Sequence, residues 1–181
     1  SLVACVLLGI LTGLVSIAFS RSLSWSEKKF YKIGSPWARA ALGGAIIGGM
    51  AYLNPSVLGE GYNITQEFLA QMDQHTVEWV LFFILLKFIA CCVTLGSGGV
   101  GGVFAPSLVL GSAVGMSFGL ILGLTGWEGV AEPAAFALVG MAGMVTGVMH
   151  GPLTGVFLVM ESTGGYSLIL PLMLTASSAM V

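Results

Sequence analysis

Apolar residues in this chain come in long blocks, and the polar residues collect in the gaps between them. Leu2 to Phe19 carries no charge over about 18 residues, which at 1.5 Å per residue approaches a hydrocarbon core of about 30 Å and predicts a spanning helix. Arg21 to Arg39 holds five of the six basic residues together with Glu27, Trp25, Tyr31 and Trp37. That mixture predicts an interfacial loop with aromatic anchors. Ala38 to Leu53 predicts a second apolar helix, whose Gly44 and Gly48 have the small-residue spacing that lets helices approach closely. Asn54, Pro55 and the run Gly59 to Asn63 end it, and Ile64 to Met72 reads as a short amphipathic piece. Val77 to Leu95 is a third long block, with Lys87 near its middle.

Val103 to Leu124 predicts a helix with Gly111, Gly115, Gly119 and Gly123 at every fourth position, a stripe on one face that marks a tight helix contact. After a polar break from Thr125 to Glu132, Pro133 to Met149 predicts another helix, carrying Gly140, Gly143 and Gly147 and closed by His150, Gly151 and Pro152. A short helix, Pro152 to Glu161, a break at Thr163 to Tyr166, and Ser167 to Val181 with internal Pro171 complete the chain. Several of these pieces are shorter than the ~20 residues of a full span. The expected fold is therefore an all-α polytopic membrane protein with broken, tilted and re-entrant helices.

Composition agrees: 56% of residues are hydrophobic and 8% charged, with a mean hydropathy of +0.99, against roughly 25% charged residues in soluble domains. The net charge of −2 provides neither a nucleic-acid footprint nor a polybasic lipid-binding tail. Cys5, Cys91 and Cys92 lie inside apolar runs without metal-ligand spacing and read as small core residues, so no metal site or cofactor is expected. The chain starts without Met and both ends fall in apolar runs, so it is expected to be a piece of a longer membrane protein.

The candidate chemistry lies in Gly96 to Ser107, GSGGVGGVFAPS, with five glycines in seven residues before Phe104 and Pro106. Glycine lets backbone amides approach a ligand, and proline is tolerated in a first helical turn. The pattern describes an amide-rich loop feeding a helix N-terminus, where peptide dipoles favour an anion. Irregular backbone at membrane depth persists only where it is buried in protein or lines a cavity. Gly96, Gly98 and Gly101 also match G-x-G-x-x-G, but the preceding block is far too long for a nucleotide-binding strand, and no lysine follows as a P-loop requires. Ser97 with His150 is a conceivable intramembrane serine hydrolase pair lacking an orienting third group. A re-entrant-loop carrier of another small solute is a further alternative. Glu161 ends an apolar helix and is expected as a buried structural acceptor, and Lys87 is expected to snorkel or to pair within the bundle.

Gly96-Ser97-Gly98-Gly99 leading into Gly102-Val103-Phe104-Ala105-Pro106, then Gly151-Pro152-Leu153-Thr154-Gly155 to Glu161, and then Tyr166 to Pro171, resembles the CLC family of chloride channels and proton-coupled chloride transporters. The resemblance covers residues 1–181. It implies that residues 1–20 are the last helix of a first repeat, and that 38–181 are a second, inverted repeat lacking its following C-terminal helix. It also implies chloride as the transported ligand, held by Gly102, Val103 and Phe104 through backbone N–H groups, with Gly101 and Pro106 in structural support and no catalytic residue. A homodimer through helices like 2–19, 152–161 and 168–181 in a plasma or inner membrane is implied as well. The physics fits, because an anion bound for conduction must also leave. Amide donors at about 1.5–3 kcal/mol each offset dehydration without the grip of a full charge, and no Lys or Arg occurs from residue 88 onward.

Overall fold

A computed structural model of the chain describes residues 2–55, 58–59, 77–125, 132–163 and 168–180. Among them are seven helices: α1 (Leu2–Tyr31), α2 (Pro36–Leu53), α3 (Val77–Gly96), α4 (Phe104–Leu124), α5 (Pro133–Met149), α6 (Pro152–Thr163) and α7 (Ile169–Ser178). The expected piece over Ile64 to Met72, the acids Glu60, Glu67 and Glu128, and the break at Tyr166 lie outside the described residues. Three helices, α1, α3 and α4, are long and apolar enough to cross a membrane, while α5, α6 and α7 are shorter apolar helices. The mixture of full-length and partial apolar helices matches the expected broken architecture of an integral, multi-pass membrane protein.

The shortest helix approaches are made at glycines. On α4, a Cβ at Gly111 would lie 2.6 Å from the Gly140 carbonyl oxygen of α5, and one at Gly119 would lie 2.8 Å from Pro133 Cα. Between them, a Cβ at Gly115 would collide with the Phe136 carbonyl. Only glycine admits this distance, which puts two backbones in direct van der Waals contact. α5 carries a similar relation to α1: side chains at Gly143 and Gly147 would strike the hydroxyls of Thr12 and Ser16. Gly155 brings α6 onto α5, where a Cβ would lie 2.6 Å from the Ala142 carbonyl oxygen, and Gly9 brings α7 onto α1, with the Thr175 carbonyl oxygen at 2.6 Å. α5 thus sits at the centre, flanked by α4, α1, α6 and α7. Around it a core of Leu8, Leu108, Phe136, Val139, Val145, Val159 and Leu172 is closed to solvent.

Hydroxyls inside this bundle are satisfied locally. Thr12 donates to the Leu8 carbonyl at 2.9 Å, Ser112 to Val109 at 2.8 Å and Thr146 to Ala142 at 2.7 Å, so small polar residues pack without orphaned groups. Thr175 instead donates to the Cys5 carbonyl at 2.9 Å and ties α7 to α1.

Three expectations about packing are corrected. The helix begun at Leu2 does not stop at Phe19 but continues to Tyr31, absorbing most of the expected interfacial loop. The reason is tertiary: buried Ser26 donates to the Cys92 carbonyl at 2.7 Å, 66 residues away, and fits against Gly96 of α3. Gly44 and Gly48 do not mark a close helix contact among the described residues, since nothing lies within 4 Å of a Cβ at either, and it is Gly43 that receives Ser97. The α4 stripe likewise serves at Gly111, Gly115 and Gly119 but not at Gly123, where the space is open.

Candidate functional site

The chain leaves α3 through a tight turn in which the amides of Ser97, Gly98 and Gly99 return to the carbonyls of Val93, Leu95 and Thr94 at 2.9, 3.2 and 2.9 Å. Gly98 has φ +96°, a conformation that disfavours other residues. Gly99 is held so close that a Cβ would lie 2.7 Å from the Thr94 carbonyl oxygen. Gly98 and Gly99 are therefore required by the turn itself, whereas Gly96 is required by its contact with α1, where a Cβ would strike the Ser26 hydroxyl.

Gly101 and Gly102 are different. A Cβ at Gly101 would meet only Leu95 Cδ2 at 3.6 Å, and one at Gly102 only the Phe104 nitrogen at 3.9 Å, with φ in the ordinary range at both. Neither packing nor backbone geometry demands glycine here. What the missing side chains leave is access: Gly101 and Gly102, with Pro106, line a cavity of about 350 Å³ bounded also by α3 and by Leu58 and Gly59.

Beside that cavity α4 begins. Val103 is its N-cap, with φ −76° and ψ −10° and no side-chain cap, and Pro106 stands in the first turn. The Val103 carbonyl accepts the Ser107 amide at 3.0 Å. The Val103 and Phe104 amides have no hydrogen-bond acceptor among the described residues, as a helix start leaves its first donors outside the helical ladder. Neither side chain is part of the cavity lining. Val103 packs against the cluster of Phe19, Cys91, Leu110 and Met144, and Phe104 against the core around α5. The side chains anchor the turn in the protein, and the donors stand at the positive end of a 21-residue helix.

The other candidate positions are placed as follows. Lys87 is 2% exposed, and its Nζ donates to the Gly59 carbonyl at 2.7 Å. It lines the same cavity as Gly101 and Gly102, which corrects the expectation of a site without a full positive charge alongside. The signal was present in the sequence as a cation in the middle of an apolar block; its neighbourhood was not. Ser97 closes α3 with its hydroxyl on the Thr94 carbonyl at 3.0 Å. His150 closes α5 in the left-handed region at φ 54°, its Nδ1 3.1 Å from the Gly147 carbonyl oxygen. His150 shares a small cavity with Thr146 and Met180, on α5 and just beyond α7, so serine and histidine are each a local cap rather than a pair. Glu161 is exposed within α6 instead of buried at its end. The free cysteines are buried, and no metal-ligating cluster forms among the described residues.

Three comparisons bear on this geometry. The family model described as voltage gated chloride channel matches residues 1–181. Among curated proteins, the chain is 33% identical to the H(+)/Cl(-) exchange transporter ClcA of Yersinia pestis, covering 96% of this chain and 37% of that protein. It is 38% identical to chloride channel protein CLC-f of Arabidopsis thaliana, covering 92% of this chain and 23% of that protein. Among solved structures, a slow cyanobacterial Cl-/H+ antiporter superposes with a TM-score of 0.88 at 30% identity, over 99% of this chain and 42% of that one. The chain thus spans about a quarter to two-fifths of the length of these relatives.

Proposed function

Because this chain belongs to the voltage-gated chloride channel family, we propose that it supplies one wall of a chloride-conducting pathway, in which the anion is held by the backbone amides of Gly102, Val103 and Phe104 at the start of α4. The observation that carries this reading is the contrast within the loop. Gly98 and Gly99 are needed for the turn and Gly96 for packing against Ser26, whereas Gly101 and Gly102 have room for a side chain and border a cavity. Glycine at those two positions is explained by the approach of a ligand to the backbone.

The chemistry suits a transported ion. Each amide gives an anion about 1.5–3 kcal/mol, and the dipole of α4 adds to it without forming a contact ion pair. Lys87 raises the local potential, while its bond to the Gly59 carbonyl restrains the ammonium from closing on the ion. Binding then remains weak enough for release. The homodimer belongs to the same proposal: Leu153 and Phe157 of α6, and Leu170 and Met173 of α7, are large exposed apolar side chains that a second subunit would cover.

The test is chloride flux from liposomes holding the full-length protein. Val103→Pro removes one donor at a residue whose φ of −76° already suits proline. Flux and chloride affinity both fall if the amide is a ligand. Unchanged flux and affinity in a folded Val103→Pro protein contradict the assignment.

A further inference from the structure

On the side of α3 away from the anion cavity lies a larger groove of about 460 Å³, walled by the last third of α1, by α2 and by α3. The division is marked by two adjacent cysteines, since Cys91 borders the anion cavity and Cys92 the groove. Its floor and walls are apolar, including Leu42, Ile46, Phe88 and Ile89. From Ser22 to Phe30, the stretch of α1 that lines it, the helix rises about 12 Å, and Ile33 just beyond the helix extends the lining into an elongated trough.

The mouth of the trough is cationic. Five of the chain's six basic residues fall between Arg21 and Arg39, against the single acid Glu27, although the whole chain carries a net charge of −2. Lys29 lines the groove, with Nζ 4.5 Å from the centroid of the Trp25 ring. Arg39 stands one helical turn before Leu42 on α2, its guanidinium 5.4 Å from the centroid of the Tyr31 ring. Its Nε is buried with no hydrogen-bond partner among the described residues. Arg39 is half-buried and lies outside the groove lining, one helical turn from Leu42, and a cationic donor without an acceptor suits an anionic oxygen. Trp25, which lines the groove, is 62% exposed, and Tyr31 and Trp37, at the end of α1 and the start of α2, are 78% and 85% exposed, as aromatic side chains are at the level of lipid headgroups.

We propose that this groove binds an anionic phospholipid, one acyl chain lying along α1 between Leu42 and Phe88 and the phosphodiester bridging Lys29 and Arg39. An apolar trough accounts for the chain, and Lys29 on the groove with Arg39 one turn from Leu42, its Nε unpartnered among the described residues, accounts for the charge. Neither feature alone selects a lipid from the surrounding bilayer; together they select one by its headgroup.

Trp25 reports occupancy directly. Full-length protein is reconstituted in phosphatidylcholine vesicles, with brominated phosphatidylglycerol or brominated phosphatidylcholine added at increasing mole fraction. The Trp25 contribution is the difference from Trp25→Phe. Quenching by phosphatidylglycerol is expected to saturate at a mole fraction at least about fivefold below that for phosphatidylcholine, the preference that one surface cation confers. Lys29→Gln with Arg39→Gln brings the two curves together, and the exposed Lys29→Gln alone narrows the gap if the double variant does not fold. Equal quenching by the two lipids overturns the proposal. Absence of Trp25-dependent quenching does so too, since it means another part of the protein covers the groove. Displacement of the brominated lipid by soluble glycerol phosphate overturns it as well, by assigning the mouth to a free phosphate.

Discussion

The seam between α4 and α5 and the loop that leads into α4 are both rich in glycine, and the seam glycines differ in their surroundings from the last two of the loop. Along the seam every useful glycine faces another backbone: Gly111 faces Gly140, Gly115 faces Phe136 and Gly119 faces Pro133. In the loop Gly101 and Gly102 face a cavity. The same absence of a side chain closes the first region and opens the second. A glycine acquires its meaning from what stands within about 4 Å of it, which is why the two regions look alike as sequence and act differently as structure.

The largest expected effect comes from breaking the seam. Gly115→Leu drives a side chain into the Phe136 carbonyl, and size-exclusion chromatography of the full-length protein should show no monodisperse peak. Gly115→Ala, the mildest form of the change, should cost about 1–3 kcal/mol in thermal unfolding. Gly123→Ala, on the same helix but with open space around it, should leave the melting temperature in place.

Removing a donor from the loop is expected to leave the fold intact and weaken the ligand. Val103→Pro should reduce chloride affinity about tenfold or more by calorimetry, the value of one hydrogen bond to a charged group. A smaller effect is expected at the cavity wall. Lys87→Met keeps the apolar stem of a residue only 2% exposed while removing its charge. Chloride flux should fall by about tenfold or less, and the loss should shrink as salt is raised. Least of all should follow from Gly44→Ala and Gly48→Ala. With nothing within 4 Å of either Cβ, helix propensity alone should leave α2 unchanged or steadier by up to about 1 kcal/mol. Marked destabilisation there would mean that a further segment of the full-length protein packs on this face.

Most of the helical outline was legible from the chain. α5 spans Pro133–Met149 as its apolar block and flanking prolines indicate, and α4 starts within one residue of the expected position. These elements are written in local signals, namely block length, Pro at a helix start and a polar residue at each end. The misplaced features depend on distant partners. α1 runs on past Phe19 because Ser26 finds Cys92, and Lys87 borders the cavity because Gly59 returns from the end of α2 to meet it. Gly44 and Gly111 present similar small-residue spacing, and only one has a neighbour. Within the loop, G-x-F-x-P marked the helix start, with Val103 as N-cap and Pro106 in the first turn. The division between glycines that make the turn and glycines that open the cavity is set by what surrounds each one and exists only in the folded chain.

The central claim is that the amides at the start of α4, rather than an ionised side chain, hold the transported anion. Bromide is a chloride substitute visible by anomalous X-ray scattering, so diffraction from crystals of the full-length protein grown in bromide tests this directly. The account predicts an anomalous peak within hydrogen-bonding distance of the Val103 and Phe104 amides, facing the cavity beside Gly102. A bromide seated instead on Lys87 Nζ, or no peak at the start of α4 while others are well occupied, would contradict it.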